Sequence, residues 1–227
     1  MNLTRYKQML EINDLYTHMG KIDKIVGMTV EATGPSCSMG DVCRITSEDG
    51  GRELRAEVVG FKEDKVLLMP YQDTGGIGYG SRVLNTGRKL MVRVSDEMVG
   101  RTVNAMGEPI DGGPPLAGGD LYPIDAEPAN PMERPRIDTP IEMGIKAIDG
   151  FLTIGKGQRM GIFAGSGVGK STLMGMLARN VKADVNVIAL VGERGREVME
   201  FISRDLGEEG IRRSVLVVAT SDQPAMM

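Results

Sequence analysis

The residues best suited to chemistry lie in one short glycine-rich stretch, residues 164–171, with the sequence AGSGVGKS. This stretch matches the pattern G-x-x-x-x-G-K-[ST] except at its first position, where Ala164 replaces glycine. Small residues let consecutive backbone N–H groups turn toward an anion, and the lysine adds a positive charge. The stretch therefore predicts a phosphate-binding loop and a nucleotide ligand. A glycine-rich turn that matches by chance is the alternative.

Each polar group of this loop has a predicted role. Lys170 would place a point charge beside the β- and γ-phosphates, and the Ser171 hydroxyl would coordinate Mg²⁺. The positive end of the following helix dipole adds to the attraction. The predicted nucleotide-binding residues are Gly165, Ser166, Gly167, Val168, Gly169, Lys170, Ser171 and Thr172.

A phosphate-binding loop needs a strand before it and a helix after it. Residues 159–164 form a short apolar run that predicts a buried strand. A helix is predicted over roughly residues 170–180, because Leu173, Met176 and Leu177 recur at helical spacing. This context disfavours a match by chance.

A second apolar run, residues 185–191, predicts a strand that leads directly into the charged sequence GERGRE of residues 192–197. Ligands of open α/β sheets bind outside the carboxyl ends of the strands, so Glu193 and the loop should face one crevice. A carboxylate there can orient an attacking water, which makes Glu193 and Lys170 candidate catalytic residues. Alternatively, Glu193 starts the next helix and Arg194 is an ordinary solvated charge.

Composition narrows the function classes. The chain has 227 residues, of which 41% are hydrophobic and 26% charged, as in ordinary globular proteins. A net charge of −4 argues against nonspecific nucleic-acid binding. No apolar run is long enough for a membrane span, so we expect any membrane contact to be peripheral. Cys37 and Cys43 lack the spacing of a zinc site or a disulfide framework.

The chain divides into four predicted parts. Residues 1–20 carry apolar side chains at near-helical spacing and predict an amphipathic segment that packs on the next domain or binds a partner. Residues 21–92 predict a small closed β-barrel with a hairpin turn at residues 48–51. The predicted strand runs are residues 25–33, 41–46, 54–61, 66–69 and 82–84.

Residues 93–140 hold most of the prolines and predict an extended connector. Residues 141–227 predict a P-loop nucleotide-binding domain, with parallel strands near residues 159, 185 and 214. The predicted fold class is thus α/β plus all-β, a small β-barrel followed by a parallel sheet with helices.

The loop together with residues 192–201, GERGREVMEF, resembles the flagellar and type III protein-export ATPases, which are related to the rotary ATP synthase α/β subunits. The similarity covers nearly the whole chain. It extends to residues 100–111, 144–150 and 217–225. Ser171 and the sequence GRE of residues 195–197 look more like the export ATPases than the synthase β subunits, and the flagellar branch is the closer fit.

This resemblance implies ATP and Mg²⁺ as cofactors and ATP hydrolysis that powers protein export. Residues 165–171 would hold the phosphates, with Mg²⁺ at Ser171. Glu193 would activate water, and Arg194 would be a supporting active-site charge. The resemblance also implies a homo-hexameric ring that works with stator or regulator proteins, central-stalk proteins, chaperones and exported substrates. Its place would be the cytoplasm, peripheral at the inner face of the membrane.

Family members run on for about as long again, and their metal-orienting aspartate and trans-acting arginine have no counterpart here, so we interpret the chain as truncated. The resemblance thus makes residues 141–227 part of a P-loop ATPase domain with an incomplete RecA-like parallel sheet. Half a sheet leaves an open edge and an uncovered apolar face, so we expect poor solubility. The alternative is a nucleotide- or partner-binding fragment that does not hydrolyse ATP. A rotary synthase-type subunit or a ring-shaped RNA translocase is a further alternative, and the latter would require base stacking on barrel aromatics.

Overall fold

The computed structural model describes residues 18–165 and 167–227. The amphipathic segment predicted for residues 1–20 therefore lies almost entirely outside the described residues. The chain forms two compact units. One contains residues up to 91 with 123–125 and 224–227, and the other contains residues 92–122 and 126–223. The predicted domain boundaries at residues 20, 92 and 140 stay predictions.

A closed β-barrel dominates the first unit, as predicted. Its strands are β1 Met19–Val26, β2 Thr29–Thr33, β3 Val42–Thr46, β4 Glu53–Lys62, β5 Lys65–Pro70 and β6 Arg82–Asn85. The strand order is β1-β2-β5-β4-β3-β6, and every neighbouring pair is antiparallel. Strand β6 pairs with both β3 and β1, so the barrel leaves no open edge.

Alternation of side chains builds the barrel core. In β5 every second residue is buried, which is the period-2 pattern of a strand with one face inward. The hairpin turn predicted at residues 48–51 does join β3 to β4. The run of residues 25–33, predicted as one strand, is two strands, because Gly27 adopts a φ of +60° and turns the chain. The fully inward residues include Ile22, Val30, Ile45, Val58, Leu68 and Val83.

The second unit contains a three-stranded parallel sheet and the helices that pack on it. Its elements are β7 Met91–Val94, β8 Thr102–Asn104, β9 Asp120–Pro123, α1 Lys146–Phe151, α2 Lys170–Asn180, β10 Asn186–Val191, α3 Gly195–Glu200, a π-helical turn Phe201–Leu206, α4 Gly207–Arg212 and β11 Ser214–Ala219, with short 3₁₀ turns at Asp96–Met98 and Pro131–Glu133. The parallel sheet has the order β10-β11-β8. Helix α2 precedes β10, and a helical run from α3 to α4 connects β10 to β11. A separate pair, β7 with β9, forms a two-stranded sheet.

The strand predicted at residues 159–164 is wrong, because these residues have no regular secondary structure. A strand exists only through a ladder partner, and none of the described strands pairs with this run. Its apolar side chains are consequently open, and Phe163 is 97% exposed. The third strand of the sheet is instead β8, which belongs to the segment predicted to be an extended connector.

One face of the sheet is covered by helices, and the opposite face is covered at β8 and β11 by Met98, Val99 and Leu116 but open at β10. Helix α2 and the π-helical turn cover one face, where Ala178, Ile188, Phe201, Leu206 and Leu216 form a buried cluster. The opposite face of β10 carries Val187 and Val191, which are 72% and 74% exposed. The expected uncovered apolar face is thus present, and the expected poor solubility stays a prediction.

An ion pair ties the chain between β8 and β9. The Arg101 guanidinium donates two hydrogen bonds of 2.7 Å to the Asp111 carboxylate. The same carboxylate accepts the backbone N–H groups of Thr102 and Gly113. These bonds to the charged form hold the pKa of Asp111 well below its usual range, with the Arg101 bonds as the largest cause.

We expect Asp111→Asn to lower the free energy of unfolding by about 2 kcal/mol at pH 7, the scale of charged hydrogen bonds in a partly buried site. Since the folded pKa is depressed, this contribution is fully present above the ordinary aspartate pKa of about 4 and is lost progressively as the pH falls from there through the folded pKa. Urea unfolding followed by circular dichroism at pH 7 and pH 3 measures the difference between variant and wild type. A difference that does not shrink at pH 3, or one matched by the exposed control Asp120→Asn, would contradict the assignment.

Candidate functional site

Within the described residues, the first backbone N–H groups of helix α2 have no hydrogen-bond partner inside the helix. Its cap residue Gly169 has φ +96° and ψ 17°, and no side chain caps the helix. The N–H of Leu173 bonds the Gly169 carbonyl at 2.9 Å. The N–H groups of Lys170, Ser171 and Thr172 precede that bond and have no helical carbonyl to meet. Three donors and the positive end of the helix dipole therefore converge on one place.

The glycines ahead of the helix leave an open cradle. A Cβ atom placed on Gly165, Gly167 or Gly169 would meet nothing within 4 Å. Gly167 and Gly169 also have φ values of +76° and +96°, which side-chain-bearing residues rarely adopt. The space over the loop is therefore free for a ligand. Ser166 lies outside the described residues.

This loop opens into a cleft of about 670 Å³. The cleft brings together most of the residues predicted from the sequence, since Glu193 lines it as well as the loop and the start of α2. Val168 does not line it and is 67% exposed. Its lining includes Met160, Ile162, Gly165, Gly167, Gly169, Lys170, Ser171, Thr172, Met174, Glu193, Glu197, Glu200, Phe201, Arg204 and Asp205.

Glu193 lies just past the carboxyl end of β10, where the backbone is held firmly. The Gly192 N–H donates to the Ala219 carbonyl at 2.7 Å, and the Ser221 N–H donates to the Glu193 carbonyl at 3.0 Å. These bonds tie the ends of β10 and β11 together. The alternative in which Glu193 starts the next helix is wrong, because α3 begins at Gly195 after its cap residue Arg194.

Arg194 is not among the residues that line the cleft. It is exposed and its guanidinium lies 3.6 Å from the Glu197 carboxylate, a surface pair that contributes little to stability. The predicted supporting role of Arg194 stays a prediction.

The sequence analysis did not predict four charged residues of the cleft as site residues: Glu197, Glu200, Arg204 and Asp205. The first three recur at spacings of three and four, which places them on one helical face. That spacing was a readable signal. Arg204 donates to Glu200 at 2.7 Å across one turn. No pattern in the neighbouring sequence identifies Asp205 as a cleft residue. The π-helical turn places it against α2.

The charges of the cleft favour a nucleotide bound together with a divalent cation. Lys170 and Arg204 face four carboxylates, those of Glu193, Glu197, Glu200 and Asp205. Within residues 18–165 and 167–227, no cluster of three or more His, Cys, Asp or Glu could hold a metal alone. Mg²⁺ commonly takes one or two protein oxygens and completes its shell with phosphates and water. Ser171 and the free loop fit that arrangement.

Comparison with known proteins agrees with this geometry. Residues 22–87 match the β-barrel domain of the ATP synthase alpha/beta family, and residues 144–227 match its nucleotide-binding domain. The chain belongs to the ATP synthase α/β family. Across the described helices, none is both long and apolar enough to cross a membrane.

Export ATPases are among the curated relatives. The chain is 52% identical over 221 residues to the flagellum-specific ATP synthase of Bacillus subtilis, covering 96% of this chain and 50% of the relative. It is 47% identical over 207 residues to the type 3 secretion system ATPase of Xanthomonas euvesicatoria, covering 91% and 47%. The chain thus spans about half the length of the curated relatives it matches.

A solved structure shows the same fold. The assembled ATPase EscN of the enteropathogenic E. coli type III secretion system superposes with a TM-score of 0.81 at 41% identity, covering 91% of this chain and 49% of EscN. A second structure contains EscN in complex with its central stalk EscO. The family, the barrel and the parallel-sheet domain inferred from the sequence are confirmed.

We expect Gly169→Ala to weaken binding of a fluorescent, methylanthraniloyl-labelled ATP by roughly tenfold, because a Cβ at a φ of +96° strains the loop that presents the N–H groups. Fluorescence titration with Mg²⁺ measures the Kd. The matched control is Gly150→Ala, where a Cβ meets nothing within 4 Å and no positive φ applies. Equal affinities for the two variants would show that the geometry of Gly169 is not needed.

Proposed function

We propose that this chain binds Mg-ATP and supplies part of the catalytic machinery of an ATPase that powers protein export. The observation that carries the proposal is the cleft in which the free start of α2, Lys170 and Ser171 face Glu193 at the carboxyl end of β10. The export ATPases among the relatives support the choice of reaction.

Binding rests on the loop and the first turn of α2. The N–H groups of residues 170–172 would donate to phosphate oxygens, and the Lys170 ammonium would neutralise the charge that moves onto the terminal phosphates. Ser171 would hold Mg²⁺ through its hydroxyl oxygen. When bound, Mg²⁺ supplies charge neutralisation between the outer phosphates. The residues of the loop thus position the phosphates and hold their charge.

Hydrolysis needs a positioned water as well. Glu193 lines the same cleft as the loop, on a backbone bonded to the chain just after β11. A carboxylate in that place accepts a hydrogen bond from a water and directs its lone pair toward the terminal phosphate. Glu193 is the proposed catalytic residue for this step, and Lys170 stabilises the charge that develops.

The wider setting follows from the relatives. We propose a flagellar or type III export apparatus, in which copies of the full-length protein form a homo-hexameric ring. EscN is an assembled ATPase, and its complex with EscO supports a central-stalk partner for the ring. Stator or regulator proteins, chaperones and exported substrates are further proposed partners. We place the protein in the cytoplasm, peripheral at the inner face of the membrane.

One observation favours a second function, nucleotide binding without turnover by this chain alone. Residues 159–164 lead into the loop but pair with none of the described strands, and Phe163 is almost fully exposed. Among the described elements, α2 is therefore the one that directly continues and holds the loop. Hydrolysis depends on sub-ångström positioning of the reacting groups, whereas binding tolerates a looser site.

We expect Lys170→Ala to weaken binding of methylanthraniloyl-ATP with Mg²⁺ by about 30-fold, since charged hydrogen bonds contribute about 2 kcal/mol. Glu193→Gln should change this affinity less than threefold, roughly, because its carboxylate is proposed to contact water rather than phosphate. The control is Lys182→Ala, an exposed lysine beyond the other end of α2. Wild-type binding that is absent, or unaffected by Lys170→Ala, would refute the proposed nucleotide site.

Phosphate release from Mg-ATP separates the two functions. We expect the 227-residue chain to release no phosphate above the Lys170→Ala control, because the strand side of its loop is unsupported. A colorimetric phosphate assay on purified protein measures this. Release that is abolished by both Lys170→Ala and Glu193→Gln would show instead that the chain alone carries a working hydrolytic site.

A further inference from the structure

Asp205 is a buried charge beside the phosphate loop. In the described part of the chain it is the one charged side chain that is buried, at 6% exposure. Buried carboxylates require partners, because removal from water disfavours the ionised form. Its position in the cleft wall, next to a site that attracts anions, makes its presence costly for phosphate binding unless it has another role there.

The carboxylate has two sets of partners. The Thr172 hydroxyl donates to its Oδ1 across 3.4 Å. The Arg204 guanidinium donates to Oδ1 and Oδ2 at 3.3 Å and also reaches the Glu200 carboxylate. Thr172 belongs to the first turn of α2, whose N–H groups form the proposed phosphate site. Asp205 is therefore linked directly to that turn.

A backbone contact reinforces the link. A Cβ on Gly175 would lie 2.3 Å from the Asp205 carbonyl oxygen, so α2 approaches this turn as closely as only glycine permits. The π-helical turn Phe201–Leu206 widens the helix at this point and carries Asp205 against α2. The side chain and the carbonyl of one residue thus contact two successive turns of α2.

We propose that Asp205 is a positioning residue that orients Thr172 and the first turn of α2 toward the phosphates, an inference that rests on the proposed nucleotide site. A threonine hydroxyl can donate one hydrogen bond, and here the Asp205 carboxylate accepts that bond. The backbone N–H of Thr172 is thereby left as its donor to phosphate. The sequence predicts Thr172 as a nucleotide-binding residue, and the proposal assigns that contact to its backbone N–H.

The sign of the effect separates positioning from the alternatives. If Asp205 acts only through its charge, removing that charge should tighten binding of the anionic nucleotide. If Asp205 only stabilises the fold, its removal should lower the melting temperature and leave the affinity of the folded protein unchanged. A positioning role instead predicts weaker binding after loss of the acceptor and recovery when a neutral acceptor is present.

The experiment measures the Kd of methylanthraniloyl-ATP with Mg²⁺ for the 227-residue chain and its variants, with circular dichroism as the check of folding. We expect Asp205→Ala to weaken binding about fivefold to tenfold, the effect of one lost hydrogen bond. Asp205→Asn, which keeps an acceptor for Thr172, should stay within about twofold of wild type. The matched control is Asp184→Asn, an exposed carboxylate at the amino end of β10 and so about 20 Å from the cleft end of that strand.

A double-mutant cycle tests the proposed partner. Thr172→Val should weaken binding about as much as Asp205→Ala, and the double variant should be no weaker than either one. Additive losses, or an affinity for Asp205→Ala equal to or tighter than wild type, would overturn the positioning role. If Asp205→Ala is not folded, Asp205→Ser takes its place in the cycle, because the shorter side chain cannot reach Thr172.

The same titration separates failure of this inference from failure of the proposed function. Wild-type protein that binds no nucleotide refutes the proposed site and the positioning role with it. Wild-type protein that binds, loses affinity on Lys170→Ala and keeps it on Asp205→Ala refutes the positioning role alone.

Discussion

The uncapped start of α2 is the feature on which the rest of the site depends. A side-chain cap at a helix start stabilises by about 1 kcal/mol, and this helix has a left-handed glycine there instead. The missing cap leaves the N–H groups of residues 170–172 available to an external anion. A ligand that satisfies them binds the folded state alone and so stabilises it by mass action. The same unbonded N–H groups therefore make the helix start less stable and give it the proposed capacity to bind phosphate.

Packing on one side of the sheet determines where that helix start points. Gly175 lets α2 approach the π-helical turn closely, and Ala178 continues the contact into the cluster with Phe201 and Leu216. The strand ends add a second constraint, since one backbone bond from Gly192 to Ala219 and one from Ser221 to Glu193 hold the loop that carries Glu193. The two sides of the cleft are thus held by different contacts, and both rest on the buried cluster that joins α2 to β10 and β11.

Local patterns make much of this predictable. The loop motif, the helix over residues 170–180 and the strands β10 and β11 are each encoded within a dozen residues of sequence, and all lie as expected. The failures involve partners that are distant in the chain. The composition of the apolar run 159–164 predicts a strand, although a strand requires a neighbour that composition does not specify. Strand β8 has only three residues, too few for a sequence pattern to predict it, and its ladder partner β11 lies over a hundred residues later. The proposed role of Asp205 likewise depends on its hydrogen bond with Thr172, which lies 33 residues before it in the chain.

The two units differ in how many of their strand edges and apolar faces are covered, and this difference affects how the loop is held. The barrel closes through β1 and β6, so its ladder bonds and its inward side chains are all provided locally. The parallel sheet has an open edge at β10 and an uncovered apolar face at Val187 and Val191. The segment that enters the phosphate loop lies without a strand partner among the described residues. The contacts that hold the loop therefore lie after it in the chain: helix α2 follows the loop, and α2 contacts Asp205 through Thr172 and Gly175. The energetic weight of the Thr172–Asp205 bond should accordingly fall when a partner strand supports residues 159–164 and rise when none does.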